Sequence, residues 1–316
     1  MLPLYIAVGT VLFLMALLLL SAGITYRLAF YRNPQKQKSD PYSNISKGNY
    51  GKYESISRGL IDGALAMPYE DVYTTSRDGL RLRGRLYMLK EGAPVVIQFH
   101  GYKSTPMKDF SGAGVMCREF GYNMIMIDQR AHGESQGRTI SFGLKERLDA
   151  LCWIDYAISR FGKDVKIALQ GISMGAATVL LASGEDLPCN VKGIMADCPF
   201  STAEAVLRSE IGKMGLPHKI FYPLLRLGGI IFGKFDASKI DVVAAVRRSK
   251  LPILLVHGRE DGLVPFYMSE ELAATGKCDF QAFDGADHGI SYLLDTERYK
   301  SMAKSFLENA FGKTDN

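Results

Sequence analysis

At 316 residues, 47% hydrophobic and 22% charged, the chain suits one α/β domain of about 250 residues with an appendage rather than two balanced domains. Its net charge of +5 leans on Arg27, Arg32, Lys36 and Lys38, which fall within one short acid-free segment. The remainder is nearly neutral and carries no basic stripe interleaved with aromatics, which excludes nucleic acid as an expected partner.

Met1 to Tyr26 has no charged side chain, and Leu2 to Ile24 is long enough to cross a hydrocarbon core. Residues 1–26 therefore read as a transmembrane anchor. A buried core helix is one alternative, and a cleaved signal peptide is another, since Ser21-Ala22-Gly23 offers small residues near a cut. Against the second, the apolar run exceeds a usual signal core and no basic residue precedes it. The nearby basic residues all follow the span, so the positive-inside bias puts the rest of the chain in the cytoplasm. Five cysteines (117, 152, 189, 198 and 278) fit free thiols in a reducing compartment.

Residues 27–70 read as a juxtamembrane linker leading into the domain, because Asn33 to Gly63 is rich in Ser, Gly, Lys, Asn and Tyr with little periodicity. From 71 to 316 the pattern is that of a domain. Val72 to Thr75 and Leu80 to Leu89 predict a hairpin around Arg77-Asp78-Gly79. Strands are predicted at Val95 to Phe99, Asn123 to Ile127, Ile167 to Leu169, Val191 to Ala196, Ile253 to Val256 and Phe280 to Phe283. Helices are predicted at Lys108 to Phe120, Lys145 to Phe161 and Ala176 to Ala182, with a terminal helix within Gly289 to Phe311. Short apolar strands alternating with helices mark a mostly parallel sheet covered on both faces. Between about 199 and 248 the rhythm breaks into an apolar helical stretch, which reads as a cap inserted over the sheet.

The most informative motif is Gly171-Ile172-Ser173-Met174-Gly175, set between a strand and a small-residue helix. A strand running straight into a helix forces a tight turn at the serine, and the flanking glycines let the backbones close around it. A serine hydroxyl needs a base, and the base needs an orienting acid, in the order serine, acid, histidine. His218, His257 and His288 follow Ser173. His257 ends an apolar strand and reads as structural, His218 sits in the cap, and His288 lies in a loop after the last strand, where a base is required. For the acid, Asp261 lies just past the strand Ile253 to Val256, at the same sheet edge as Ser173; Asp197 is its rival. Two backbone N–H donors must face a tetrahedral intermediate: Met174, directly after the nucleophile, and Tyr102, in the loop His100-Gly101-Tyr102-Lys103-Ser104.

His100 to Ser104, Asp128 to Ser135 (DQRAHGES), GISMG, HGREDGLVP and ADHG, in this order over residues 70 to 312, resemble the α/β-hydrolase superfamily. The resemblance is to membrane-anchored hydrolases of the serine-aminopeptidase-like, prolyl-oligopeptidase-like and ABHD-type groups. It implies an eight-stranded sheet, a catalytic triad of Ser173, Asp261 and His288, and a structural role for Asp128 to Ser135 with His132 outside the chemistry. It leaves the substrate open, because the scaffold serves many reactions.

Three readings follow: hydrolysis of a carboxylic ester or thioester, a peptidase using the same triad, and a membrane-tethered binding module without activity. An aminopeptidase would present acids to a substrate amine, for which the cap offers Glu204, Glu210, Asp236 and Asp241. The expected partners are a small-molecule or acyl substrate and the membrane. Phe221, Tyr222, Leu224 and Leu225 of the cap either line an acyl pocket or seal the cap onto the sheet. No His-Glu-x-x-His, cysteine–histidine cluster with ligand spacing or Walker-type phosphate loop is present, so neither metal nor cofactor is expected.

Overall fold

Among the described residues, α1 (Leu2–Ala29), a 3-10 turn (Gly48–Tyr53) and α2 (Glu54–Ala66) precede the sheet. In the computed structural model, which describes residues 1–33, 40–42, 45–46 and 48–312, a hairpin then opens the sheet. Its strands β1 (Glu70–Thr75) and β2 (Arg81–Tyr87) pair antiparallel around Gly79, as their alternation predicts. Next come β3 (Val95–Phe99), α3 (Pro106–Phe120), β4 (Asn123–Ile127), α4 (Glu146–Phe161), β5 (Ile167–Ile172), α5 (Met174–Ala182) and β6 (Val191–Asp197). The cap follows as α6 (Ala203–Lys213), α7 (His218–Gly228), a π-helical turn (Gly229–Gly233), a short 3-10 turn and α8 (Val242–Arg248). β7 (Ile253–Gly258), α9 (Tyr267–Ala273), β8 (Cys278–Phe283), α10 (Ser291–Leu294) and α11 (Thr296–Phe311) complete the domain.

The eight strands lie in the order β1-β2-β4-β3-β5-β6-β7-β8. β2 is antiparallel to β1 and β4, and every other pair is parallel. β3 and β4 are buried along their whole length because helices cover both faces. Strand alternation divides the core. Val95, Ile97 and Phe99 join Trp153 and Ile154 of α4 on one face, while Val96, Met124 and Met126 meet Phe110 and Met116 of α3 and Leu307 of α11 on the other.

One local reading changes. The stretch read as linker contains α2, which buries Ser57, Ile61 and Ala64 along one face, a stripe too sparse to stand out among serines and glycines. The terminal helix expected within Gly289 to Phe311 is α11, which starts after Asp295, whose carboxylate accepts from the Arg298 N–H at 3.0 Å.

The cap connects β6 to β7, and its two ends are pinned together by an antiparallel bridge between Thr202 and Asp241. The apolar window of α1 is entirely exposed, with a hydropathy of 2.5, whereas Ala22 and Phe30 are buried against the domain. There α1 lies against α7 so closely that a Cβ on Gly228 would come within 2.3 Å of the Ala22 carbonyl oxygen. Of the basic segment, Arg27 is exposed and Arg32 is buried; Lys36 and Lys38 lie outside the described residues.

Candidate active site

Ser173 stands where β5 turns into α5, with φ +56 and ψ −119. A non-glycine residue there is strained and persists only where its surroundings over-determine it. Close approach does this. A Cβ on Gly175 would lie 1.7 Å from the Phe99 carbonyl oxygen, and one on Gly171 would lie 2.3 Å from the Gly175 carbonyl oxygen. The Ser173 N–H also donates to the Asp197 carbonyl at 2.8 Å.

Ser173 Oγ lies 3.0 Å from His288 Nε2, and His288 Nδ1 lies 2.7 Å from Asp261 Oδ2. A carboxylate only accepts, so Nδ1 carries the proton and Nε2 is left to accept from the serine hydroxyl. Asp287 ties the two loops together: its Oδ1 accepts from the Gly262 and His288 N–H groups, each at 2.7 Å. Asp261 is densely solvated by protein. Its Oδ1 accepts from the N–H of Leu263 and Val264 at 2.8 and 2.7 Å, and its Oδ2 also accepts from His257 Nε2 at 3.0 Å. Burial alone would raise the Asp261 carboxyl, but the hydrogen bonds from His257 and His288 outweigh it and hold the group well below the ordinary carboxylate range.

The loop after β3 flanks the serine, since a Cβ on Gly101 would lie 3.4 Å from Ser173 Cβ. Asp109 fixes this loop, accepting from the Gly101 N–H at 2.7 Å and the Ser104 hydroxyl at 2.6 Å. Met174 opens α5, so its N–H has no acceptor within the helix. Among the described residues the Tyr102 N–H has no acceptor either. His132 is buried behind the loop, its Nε2 accepting from the Lys103 N–H at 3.1 Å. Burial, with His100 beside it, keeps His132 well below the ordinary imidazole range and so uncharged. The loop that carries His132 is itself fixed by Asp128, which accepts from Arg83 Nη1 at 3.2 Å and the Glu134 N–H at 3.0 Å.

Asp197, the rival acid, is buried at the end of β6, and its Oδ1 has no hydrogen-bond partner among the described residues. Burial raises its carboxyl from 3.8 to about 6. The folded state thus holds this proton more tightly than the unfolded chain. The linkage is absent below about pH 4 and costs stability as pH rises through 6. A shift from 3.8 to about 6 corresponds to about 3 kcal/mol. Asp197→Asn is therefore expected to raise the unfolding midpoint at pH 8 and leave it nearly unchanged at pH 4, measured by chemical denaturation at both values.

Three residues near the serine were not legible beforehand as part of the site. His257 donates to Asp261, although its apolar strand marks it as structural. Cys198, at φ +48, brings its thiol 4.0 Å from His288 Nε2. Tyr50 comes from the Ser/Gly-rich segment and reaches the backbone beside His288: a Cβ on Gly289 would lie 2.8 Å from its hydroxyl. Ligand atoms of Cys198, Asp261 and His288 lie within 4.8 Å of one another, a set that overlaps the serine–histidine–aspartate chain.

The four acids of the cap are all engaged locally. Glu204 pairs with Arg208 at 2.7 Å, Glu210 with Lys213 at 2.6 Å, and Asp236 with Arg226 at 2.8 Å, while Asp241 caps α8 through the Ala244 N–H. Tyr222 and Leu225 are buried in the core beneath the cap, with Phe221 packed against it.

A family model described as serine aminopeptidase, S33, matches residues 91–224. The Pyrococcus furiosus esterase Pf2001 has the same fold with a TM-score of 0.65, at 24% identity over 79% of this chain and 95% of that one. This chain has the α/β-hydrolase fold. The fold also matches Est1E from Butyrivibrio proteoclasticus, with a TM-score of 0.58 and 22% identity over 77% of this chain and 100% of that one. In sequence the chain is 26% identical over 203 residues to YqkD of Bacillus subtilis, covering 62% of this chain and 66% of that protein. It is 30% identical over 146 residues to the thiohydrolase aneE of Aspergillus aculeatus, 45% of each.

Proposed function

We propose that this hydrolase cleaves a carboxylic ester or thioester through an acyl intermediate on Ser173. The observation that carries the reading is the hydrogen-bond chain from Ser173 Oγ through His288 to Asp261, at 3.0 and 2.7 Å. As Oγ attacks the carbonyl carbon, His288 Nε2 takes the hydroxyl proton and Asp261 stabilises the imidazolium. The carbonyl oxygen becomes an oxyanion faced by the N–H groups of Tyr102 and Met174. His288 returns the proton to the departing alcohol or thiol. It then deprotonates water, which releases the carboxylic acid and restores the serine.

Ester chemistry is favoured over an aminopeptidase because each cap acid already holds a partner within the cap, leaving none dedicated to a substrate amine. Two similar proteins, an esterase and a thiohydrolase, lean the same way. The apolar surface of α1, together with exposed Ile220, Ile230, Ile231 and Phe232 on the cap, supports membrane association and an apolar acyl group.

Fluorophosphonate labelling of the full chain in detergent tests the reading. Wild type is expected to take one label and Ser173→Ala none; a folded wild type that stays unlabelled would overturn it. The topology has its own check. Protease added outside intact cells is expected to leave the domain whole, and digestion from that side would reverse the proposed orientation.

A further inference from the structure

The carboxyl end of α1 meets the loop that follows β3. A helix leaves its last carbonyls without intrahelical donors, and here two of them are satisfied by that loop. The Ala29 carbonyl accepts from the Tyr102 hydroxyl at 2.6 Å, and the Leu28 carbonyl accepts from Lys103 Nζ at 3.0 Å. Lys103 is a non-glycine residue at φ +52, a conformation its surroundings must hold. It is gripped at both ends, by α1 through Nζ and by His132 through its N–H at 3.1 Å.

The grip continues beyond the helix. Phe30 presents its carbonyl to the Ile140 N–H at 2.7 Å, and the Arg32 N–H donates to the Arg138 carbonyl at 2.9 Å. An aromatic chain backs these bonds: Tyr102 lies 5.1 Å from Phe142, Phe142 meets Phe30 edge-on at 5.7 Å, and Phe30 meets Phe235 of the cap at 4.9 Å. The backbone N–H of Tyr102, proposed above as an oxyanion donor, is thus aimed by a loop whose outer side chains rest on α1.

From this juxtaposition we infer that α1, beyond any role as an anchor, is a positioning element of the active site: its last two carbonyls hold Tyr102 and Lys103 so that the Tyr102 N–H faces the developing oxyanion. The inference rests on the serine-hydrolase reading. A misaimed donor weakens transition-state binding more than substrate binding, so loosening the grip lowers kcat and leaves KM in place.

The test uses the full chain in detergent with a p-nitrophenyl ester. Tyr102→Phe keeps the ring and its packing but removes the hydrogen bond to Ala29, and Lys103→Met keeps the stem but removes the one to Leu28. Each is expected to lower kcat roughly tenfold, short of the 10²–10³ that follows outright loss of an oxyanion donor, with KM within about twofold. Affinity for a boronic acid that mimics the tetrahedral intermediate should fall in parallel with kcat. Tyr26→Phe is the control. It removes a different tether of α1, the 2.7 Å contact to Thr139 Oγ1, and is expected to leave both constants within about twofold. If Tyr102→Phe and Lys103→Met retain wild-type kcat and boronate affinity, the inference fails while the hydrolase reading stands. The same holds if Tyr26→Phe lowers kcat as much, since α1 then acts only as general support. A wild type that neither turns over the ester nor labels at Ser173 overturns both.

Discussion

Ser173→Ala and His288→Ala are each expected to abolish ester turnover, lowering kcat by roughly 10⁴–10⁶-fold while the fold persists. A loss this large is expected because, in the proposed mechanism, nucleophile and base act as a unit. Asp261→Asn is expected to lose roughly 10³–10⁴-fold by another route. Its amide can present an N–H to His288 Nδ1, which favours the tautomer protonated on Nε2 and leaves nothing to accept the serine proton. Asp197→Asn is expected to stay within about threefold, because no contact ties Asp197 to the imidazole as Asp261 is tied. Steady-state kinetics with a p-nitrophenyl ester, with circular dichroism on each variant, separates the two acids. A larger loss at Asp197 than at Asp261 would assign the orienting role to Asp197.

Gly175→Ala is expected to be the most destabilising small substitution in the chain, costing more than about 4 kcal/mol or preventing folding outright. The added methyl would sit 1.7 Å from the Phe99 carbonyl oxygen, a backbone atom at the end of a central strand that has no room to retreat. Relief would require separating α5 from β3, which opens the core beneath Ser173. Gly63 provides the contrast. It lies inside α2, where a Cβ meets nothing within 4 Å, so Gly63→Ala is expected to stabilise by about 0.5–1 kcal/mol through helix propensity. Denaturant midpoints and folded yield of the two variants check both. A Gly175→Ala protein with a wild-type midpoint would mean that β3 and α5 do not approach as described.

The sheet was legible from sequence because its strands are short apolar runs whose length and flanking turns leave little ambiguity. Val95 to Phe99 and Asn123 to Ile127 coincide with β3 and β4. Ser173, Asp261 and His288 were legible for a related reason: a strand-to-helix serine and loops just past two later strands all emerge at one sheet edge, and that edge is where the three meet. Their chain order is a local property of the sequence, and the parallel sheet converts it into proximity.

Other features were decided only in three dimensions. His257 reads as an apolar strand's last residue, and its bond to Asp261 exists because the loop after β7 folds back over the strand end. Tyr50 reaches the backbone beside His288 from a segment whose composition carries no periodic signal. The apolar run of α1 announced a helix that could cross a membrane, but a hydropathy pattern does not record what the helix end touches. The hydrogen bonds from Tyr102 and Lys103 to Ala29 and Leu28 span more than seventy residues. Their donors and acceptors are a tyrosine, a lysine and two backbone carbonyls, groups that every sequence has in plenty, so only the packing of α1 against the domain selects them.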